Sequence, residues 1–400
     1  MINRKLVWPM ALVSATAIAL AGCASSSSGD SSTKAATSSH GVYNWGVDAE
    51  LSGELSYYGL SISGGVAAYV NSVNAKGGIN GHKIKLTELD NAGDSSQSSA
   101  VATQLITADN VDAIFGQTLS SDCSAAQPTV VRYQVPMACF SVAQFSPYVF
   151  NLGYDDGLAS GALIASAKKV TSKSQLTAAV LYPNTGTGIQ LGNDIIKAAP
   201  GDGVKLVSSQ EYDLTATNLS VQTAKIVAAK PDVVLISATG PGLLMVLKAA
   251  RAAGLQAPFV WSDLTGNYGL VATSSYPGLY ALNDYELIPG SGATGAAQDF
   301  ITAMGSKLGS NPTAATINAG ETVNGYITAM AFGQALKSCG YPCSGAQLTK
   351  AVEKVSISLP DLETSFGYTS ADHYPYPNWY LYHIVGATTT LVGTFPSSKS

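Results

Sequence analysis

The sequence is short of charge. Only 12% of its 400 residues are Asp, Glu, Lys or Arg, about half of the usual ~25%. Ser, Thr, Gly, Asn and 20 Tyr therefore supply much of the polar surface. The balance is acidic, with a formal net charge of −5, and no Lys/Arg cluster breaks it, which argues against a nucleic-acid partner. Histidine is equally scarce, at positions 40, 82, 373 and 383, and the five cysteines contain no Cys-x-x-Cys pair. A metal site built from Cys339, Cys343 and a histidine would lack the usual ligand spacing. There is no G-x-S-x-G elbow, no H-E-x-x-H and no Walker A pattern. Gly186-Thr187-Gly188 with Gly192 echoes a dinucleotide loop at the wrong spacing. No metal, no cofactor and no enzymatic activity are expected.

The N-terminus reads as an address. Asn3-Arg4-Lys5 precedes Leu6–Leu20, an apolar stretch shorter than the ~20 residues of a spanning helix. It ends in Leu20-Ala21-Gly22-Cys23, which looks like a bacterial lipobox. Residues 1–22 would be a signal peptide, and the Cys23 thiol would take the lipid; the plainer alternative is a secretory signal with an incidental cysteine. Removing residues 1–22 leaves 19 basic against 26 acidic residues. Residues 24–40, rich in serine, form a tether with too little apolar surface to fold. The mature chain is expected to be exported and anchored by lipid to the outer face of the bacterial cell membrane. Four other cysteines remain, an even number in an oxidising compartment. Cys123 opens a helix and Cys139 closes the next strand, so a bridge between them is reasonable and worth roughly 3 kcal/mol. Cys339 and Cys343 flank Gly340-Tyr341-Pro342, where a small staple is expected.

The chain is organised around residues 52–90. Tyr43, Trp45, Val47 and Ala49 alternate with polar or small residues, a first strand. Ile62, Val66, Tyr69, Val70 and Val73 then recur on one helical face, and Gly77-Gly78 ends that helix. After Asn80-Gly81, Ile84 and Leu86 begin a second strand that ends at Asp90. Strand, helix and strand with short connections imply parallel pairing. Parallel pairing in turn puts the loop 50–58 at the carboxyl ends of the strands, where open α/β sheets bind ligands. The pattern continues with a helix from 95, a buried strand Val111–Phe115, a helix near Asp122–Tyr133 and a strand Pro136–Phe140. It restarts after Gly153-Tyr154-Asp155-Asp156-Gly157 with strands at 177–182, 204–212, 233–237 and, last of that set, 259–262. Length and repetition predict two α/β lobes.

The wording of these segments carries a resemblance. SGELSYYG at 52–59, NAKGGINGHKIKL at 74–86, VDAIFG at 111–116, PMACFS at 136–141 and VFNLGYDD at 149–156 resemble type I periplasmic binding proteins. The nearest branch serves ABC transporters of branched-chain (hydrophobic) amino acids. The resemblance implies two Rossmann-like, doubly wound α/β lobes joined by a three-strand hinge, the periplasmic-binding-protein-like I fold. Lobe 1 would hold 41–155 and 287–366, and lobe 2 would hold 156–286 and 367–400. It also implies a substrate-binding lipoprotein of an ABC importer, closing on an amino acid or a related amide or amine. Its partners would be the permease transmembrane subunits and, through the lipid anchor, the membrane. A sensor of the same fold feeding a signalling receptor, or an extracytoplasmic α/β hydrolase, are the alternatives.

Site residues follow by matching positions. Tyr58, on the first βα loop, would face the ligand. Gly116–Asp122 joins a buried strand to a helix, and helix N-termini suit carboxylates; the family's carboxylate-binding serine maps to Ser120, with Ser121 one residue away. Ser121 or Asp122 could instead simply cap that helix. Ser141 and Ala143 match positions that offer a hydroxyl and backbone groups, Ala143 without the common hydroxyl. Asp263 matches the acid that receives the ligand ammonium; the alternative is an N-cap. Thr187 and Thr239 stand where the family tends to place aromatics, which leaves a smaller and more hydroxylic wall and an open ligand identity.

Overall fold

The computed structural model describes residues 41–397 apart from Ser141, Ala143, Gln144, Tyr154, Asp155, 265–267, 272–275 and Glu363. The expected signal peptide, Cys23 and the tether lie outside the described residues.

The described chain begins with β1 (Tyr43–Ala49), α1 (Ser56–Ala75) and β2 (Ile84–Asp90). β1 and β2 pair in parallel, from Tyr43 opposite Ile84 to Ala49 opposite Asp90. Tyr43, Trp45, Val47 and Ala49 are buried, and so is Asp48 between them, because helices cover both faces of a parallel sheet. Ile62, Val66, Tyr69 and Val70 of α1 turn inward. Two glycines let α1 approach closely: a Cβ on Gly59 would overlap the Glu50 backbone, and one on Gly65 the Thr322 backbone. With α2 (Ser95–Thr107), β3 (Ala113–Gly116), α3 (Ser120–Tyr133), β4 (Met137–Cys139) and β5 (Val149–Asn151), the described residues build a parallel sheet in the order β2-β1-β3-β4-β5.

A second set follows: α4 (Ser160–Thr171), β6 (Leu176–Pro183), α5 (Gly186–Ala198), β7 (Val204–Tyr212), α6 (Ser220–Ala229), β8 (Val233–Ile236), α7 (Gly240–Ala252), β9 (Phe259–Trp261), α8 (Tyr268–Val271) and β10 (Leu279–Asn283). The chain then runs through α9 (Gly295–Met304), α10 (Ala314–Ile317), α11 (Thr322–Cys339), α12 (Gly345–Val352), β11 (Ser356–Leu359), β12 (Thr364–Gly367), β13 (Asn378–Val385) and β14 (Thr388–Pro396). The second sheet has the order β14-β13-β10-β9-β8-β6-β7. Its strands are parallel from β7 through to β10, and β13 and β14 add antiparallel edges.

The second sheet is wider than the sequence pattern indicates. Phe259–Ser262 is not its last parallel strand, because β10 follows. β10 is five residues long and fully or partly buried, too short to show a period. β14 is an edge strand with alternately wetted threonines, so its hydrophobic signal is weak. α11 packs back on the first sheet: Tyr326 meets Tyr69 edge-on at 5.7 Å, and Phe332 meets Phe115 at 4.9 Å and Phe150 at 5.9 Å. Both disulfides are formed, Cys123–Cys139 with Cα atoms 6.0 Å apart and Cys339–Cys343 at 5.9 Å.

Three stretches of chain pass between the two sheets, after β5, after β10 and after β12, and Asn324 of α11 touches all three. Gly153 of the first passage lies so close that a Cβ would sit 2.5 Å from the Asn324 carboxamide. Asn324 Nδ2 donates to Asp284 Oδ2 of the second passage at 3.4 Å, and to Glu321 Oε2 at 3.0 Å. Tyr376 of the third passage donates its hydroxyl to Asn324 Oδ1 at 2.9 Å. Asn324 and its three hydrogen-bonding partners are polar groups out of water, where an unmade hydrogen bond is costly. Burial pushes the Asp284 carboxyl up to about 8, with a further contribution from the charge of Asp263.

Two outcomes are expected. Asn324→Ala, which leaves Tyr376 and Asp284 without their partner, should cost about 1–3 kcal/mol in denaturant unfolding. Asp284 holds a proton in the folded state that the unfolded chain releases near its ordinary 3.8, so its contribution to stability declines as pH rises from about 4 to about 8. Asp284→Asn should flatten the fall of the thermal midpoint across that window. An unchanged slope would show that Asp284 is ionised in the folded protein.

Candidate functional site

The first wall is made by a turn that only certain residues permit. β3 ends at Gly116, whose φ of 121° is open to glycine, and a Cβ there would strike the carbonyl of Asp48. Gln117 follows in the left-handed region, with φ 53°. Its backbone N–H donates to Asp48 O at 2.8 Å, and its side-chain amide donates to Asp48 Oδ2 at 2.6 Å. Thr118 donates its N–H to Glu50 Oε1 at 3.2 Å and its hydroxyl to Glu50 Oε2 at 2.8 Å. So tethered, the chain enters α3 at Ser120. The N-cap is Leu119, which offers no side-chain acceptor; neither Ser121 nor Asp122 caps this helix. The first-turn amides of α3 are thus left without a side-chain cap, and a helix N-terminus of this kind attracts anions.

The structure separates the two candidate serines. Ser120 is 2% exposed and lines a cleft, and its hydroxyl has no hydrogen-bond partner among the described residues. Ser121 is exposed and donates its hydroxyl to Asp122 Oδ1 at 3.0 Å. Tyr58 lines the same cleft, beside Leu55, Leu119 and Phe140. Tyr57 packs edge-on against Tyr58 at 5.6 Å. Burial first, then the charges of Glu321 and Asp263, push the Tyr57 phenol up to about 12. Ser141 and Ala143 lie outside the described residues.

The second sheet supplies the other wall by the same construction. Thr185 and Thr239 are N-caps, accepting from Gly188 N at 3.2 Å and Gly242 N at 3.3 Å, so α5 and α7 also begin at the cleft. Thr187 is 3% exposed, and Ser237 and Ala238 follow β8 on the same wall. The indole of Trp261 donates to Ala238 O at 2.8 Å and fixes that loop. Asp263, just past β9, completes the wall and is the one charged residue among the described lining. The cleft has a volume of about 80 Å³. Among the described residues no cluster of His, Cys, Asp or Glu is placed to hold a metal.

Tyr58, Ser120, Thr187, Thr239 and Asp263 therefore share one cleft, and Ser121 does not belong to it. Sequence reading missed Thr118, Thr185, Leu214 and Ser237 on the lining. Thr185 and Ser237 were within reach, since each stands just past the end of a parallel strand, as Thr239 does. Leu214 arrives on the loop after β7, with no local sign of its role.

Uncapped and capped helix N-termini from two α/β sheets, opening on one cleft of mixed polar and apolar lining, are the construction of a two-lobed binder of small molecules. The chain matches the periplasmic binding protein family over residues 45–389 and belongs to it. A curated relative, the Leu/Ile/Val-binding protein homolog 7 of Brucella suis biovar 1, is 25% identical over 342 residues, 80% of this chain and 82% of its own. Two solved structures share the fold. One is the leucine-, isoleucine-, valine-, threonine- and alanine-binding protein of Brucella ovis in its closed conformation. It has a TM-score of 0.75 at 20% identity, covering 90% of this chain and 96% of its own. The other is an ABC transporter solute-binding protein of R. palustris in complex with 4-hydroxybenzoate. It has a TM-score of 0.75 at 18% identity, covering 90% and 98%. This chain is thus a type I periplasmic binding protein, not an enzyme, and its family works outside the cytoplasm. Among the described residues no helix is long and apolar enough to cross a membrane.

The orphan hydroxyl makes one sharp expectation. Ser120→Ala removes a buried group that has no partner, so its unfolding free energy should stay within about 0.5 kcal/mol of wild type or rise. A loss beyond about 1 kcal/mol would show that the hydroxyl is bonded in the ligand-free protein.

Proposed function

We propose that this protein is the substrate-binding lipoprotein of an ABC importer, and that it closes on a small amino acid in the cleft between its lobes. The carrying observation is the pairing of Ser120 with Asp263. An uncapped helix N-terminus with an unsatisfied hydroxyl suits a carboxylate, and a carboxylate on the opposite lobe suits an ammonium. A zwitterion satisfies both at once and ties 41–155 with 287–366 to 156–286 with 367–400. Its contacts with both lobes favour the closed state. Thr187 and the hydroxyls beside it replace an aromatic wall, which favours a side chain able to hydrogen-bond, such as that of threonine. Lipid at Cys23 would hold the protein beside the permease.

A carboxylic acid lacking an ammonium group is the second reading, since the R. palustris relative in fold binds 4-hydroxybenzoate and Tyr58 and Phe140 line this cleft. The amino acid is preferred because Asp263, the one charged residue among the described lining, is an acceptor suited to an ammonium group, which a benzoate lacks.

Thermal unfolding against alanine, threonine, valine, leucine, isoleucine, benzoate and 4-hydroxybenzoate tests this. A ligand at 100 times its Kd adds about 2.7 kcal/mol. A neutral amino acid should raise the midpoint, and both Asp263→Ala and Ser120→Ala should diminish the rise. A rise with benzoates alone, insensitive to Asp263→Ala, would replace the amino acid with an aromatic acid.

A further inference from the structure

On the wall supplied by the second sheet, Leu214 stands apart from its neighbours. Thr185, Thr187, Ser237 and Thr239 carry hydroxyls, and Pro183 and Ala238 are small. Leu214 is the one large aliphatic side chain of this wall among the described residues. It lies on the loop between β7 and α6, where Asp213, Thr215, Thr217 and Asn218 are exposed and Leu214 itself is half-buried. β7 is the outermost strand of its sheet, so no further strand supports this loop. Hydrogen bonds hold it instead. Asn184, just past β6, donates its backbone N–H to Tyr212 O at 2.8 Å and accepts from Leu214 N on its side-chain oxygen at 3.2 Å. On the same loop, Asp213 Oδ1 accepts from the N–H of Thr215 at 2.9 Å and from its hydroxyl at 2.7 Å. Asp213 O accepts from Ala216 N at 2.9 Å. Leu214 is thus fixed from both sides, and Asn184 ties its loop to the segment that leads into Thr185 and Thr187.

In a cleft of about 80 Å³ the bulk of one leucine decides which ligands fit, because packed protein gives way little. We infer that Leu214 is a specificity-determining residue of the cleft: it occupies the room that a longer ligand side chain would need, and so sets the upper limit of size. Asn184 is the positioning residue that holds it there. The hydroxyls of this wall answer to the polarity of a ligand, and Leu214 answers to its bulk. Specificity is a difference between two affinities, and exclusion by bulk acts on that difference without any new attractive contact. The inference rests on the amino-acid reading of the cleft made above, and it adds a size class to that reading.

Calorimetric titration with L-threonine, L-valine, L-leucine, L-isoleucine, benzoate and 4-hydroxybenzoate reads the size limit as a ratio of affinities. Leu214→Ala should move the ratio of leucine to threonine affinity toward leucine by about tenfold. Leucine fills the vacated room, and threonine leaves it without contacts. Leu214→Phe should move the ratio the other way. Should the alanine variant fail to fold, Leu214→Val is expected to give a smaller step in the same direction. Asn184→Ala should also shift the ratio toward leucine, and Asn184→Asp, which keeps an oxygen to accept from Leu214, should restore it. Ile189→Ala, an exposed side chain of α5 off the lining, should leave the ratio as it is. Amino acids that bind with a ratio unmoved by the Leu214 variants overturn the inference and leave the amino-acid reading intact. Binding of the benzoates alone overturns the amino-acid reading. Leu214 then stands only if Leu214→Ala moves the ratio of 4-hydroxybenzoate to benzoate affinity toward the larger ligand. No binding by any of the six overturns both together.

Discussion

A parallel strand cannot be followed by a hairpin. It must give way to a crossover, so in each sheet the loops after the parallel strands all open on the same edge. The rest of this structure depends on that constraint. It gathers the first turns of α3, α5 and α7 at one cleft. It also sets the local demands: Gly116 in a conformation open to glycine, Gln117 left-handed behind it, and Gly59 pressed on the Glu50 backbone. A wall of helix N-termini presents amides and hydroxyls without any lysine or arginine. On the reading proposed above, a protein this poor in charge can therefore still hold an ionic ligand.

The scarcity of cations has a second consequence. Asp48, Glu50 and Asp284 are all out of water, and burial raises each carboxyl to about 7 or 8. Their hydrogen-bond donors are neutral: Asn91, Ser98 and Gln117 for Asp48, Thr118 for Glu50, and Asn324 for Asp284. A buried carboxyl without a cation is tolerable when it is hydrogen-bonded and can keep its proton. These groups sit in two places, under the turn that leads to Ser120 and on the passages between the sheets. Titratable groups thus lie at the joints of the molecule and not on its binding wall, where Asp263 alone is charged among the described lining.

Much of the site was legible because its logic is local. Ser120, Thr187, Thr239 and Asp263 each stand within a few residues of the end of a buried parallel strand, and such ends can be found by period and composition. Tyr58 was legible from its place beside the first βα loop, although α1 starts earlier than the sequence pattern indicates and holds it in its first turn. The choice between Ser120 and Ser121 was not, because a one-residue shift in the start of α3 rotates which hydroxyl faces inward by about 100°. Thr185 and Ser237 escaped notice though their positions obey the same rule. Glu50 escaped for a stronger reason: an acid beside a predicted loop reads as solvated, and only the folded chain shows Gly59, Gly93 and Thr118 closing over it.

Strand–helix alternation, the parallel pairing of β1 with β2, the two-lobe plan and the strand-end positions of the candidate ligand contacts were determined by the amino-acid sequence itself. They follow from periodicity and chain connectivity, which act over a few residues to a few tens. Tertiary structure alone decided the rest. It brought Asn324 against three separate passages of chain, extended the second sheet through β10 and β14, closed Thr118 over Glu50, and left the Ser120 hydroxyl without a partner among the described residues. Each of these depends on contacts between segments tens to hundreds of residues apart, or on the exact rotation of a helix. Burial and hydrogen-bond satisfaction are properties of that assembled environment, so no local pattern carries them.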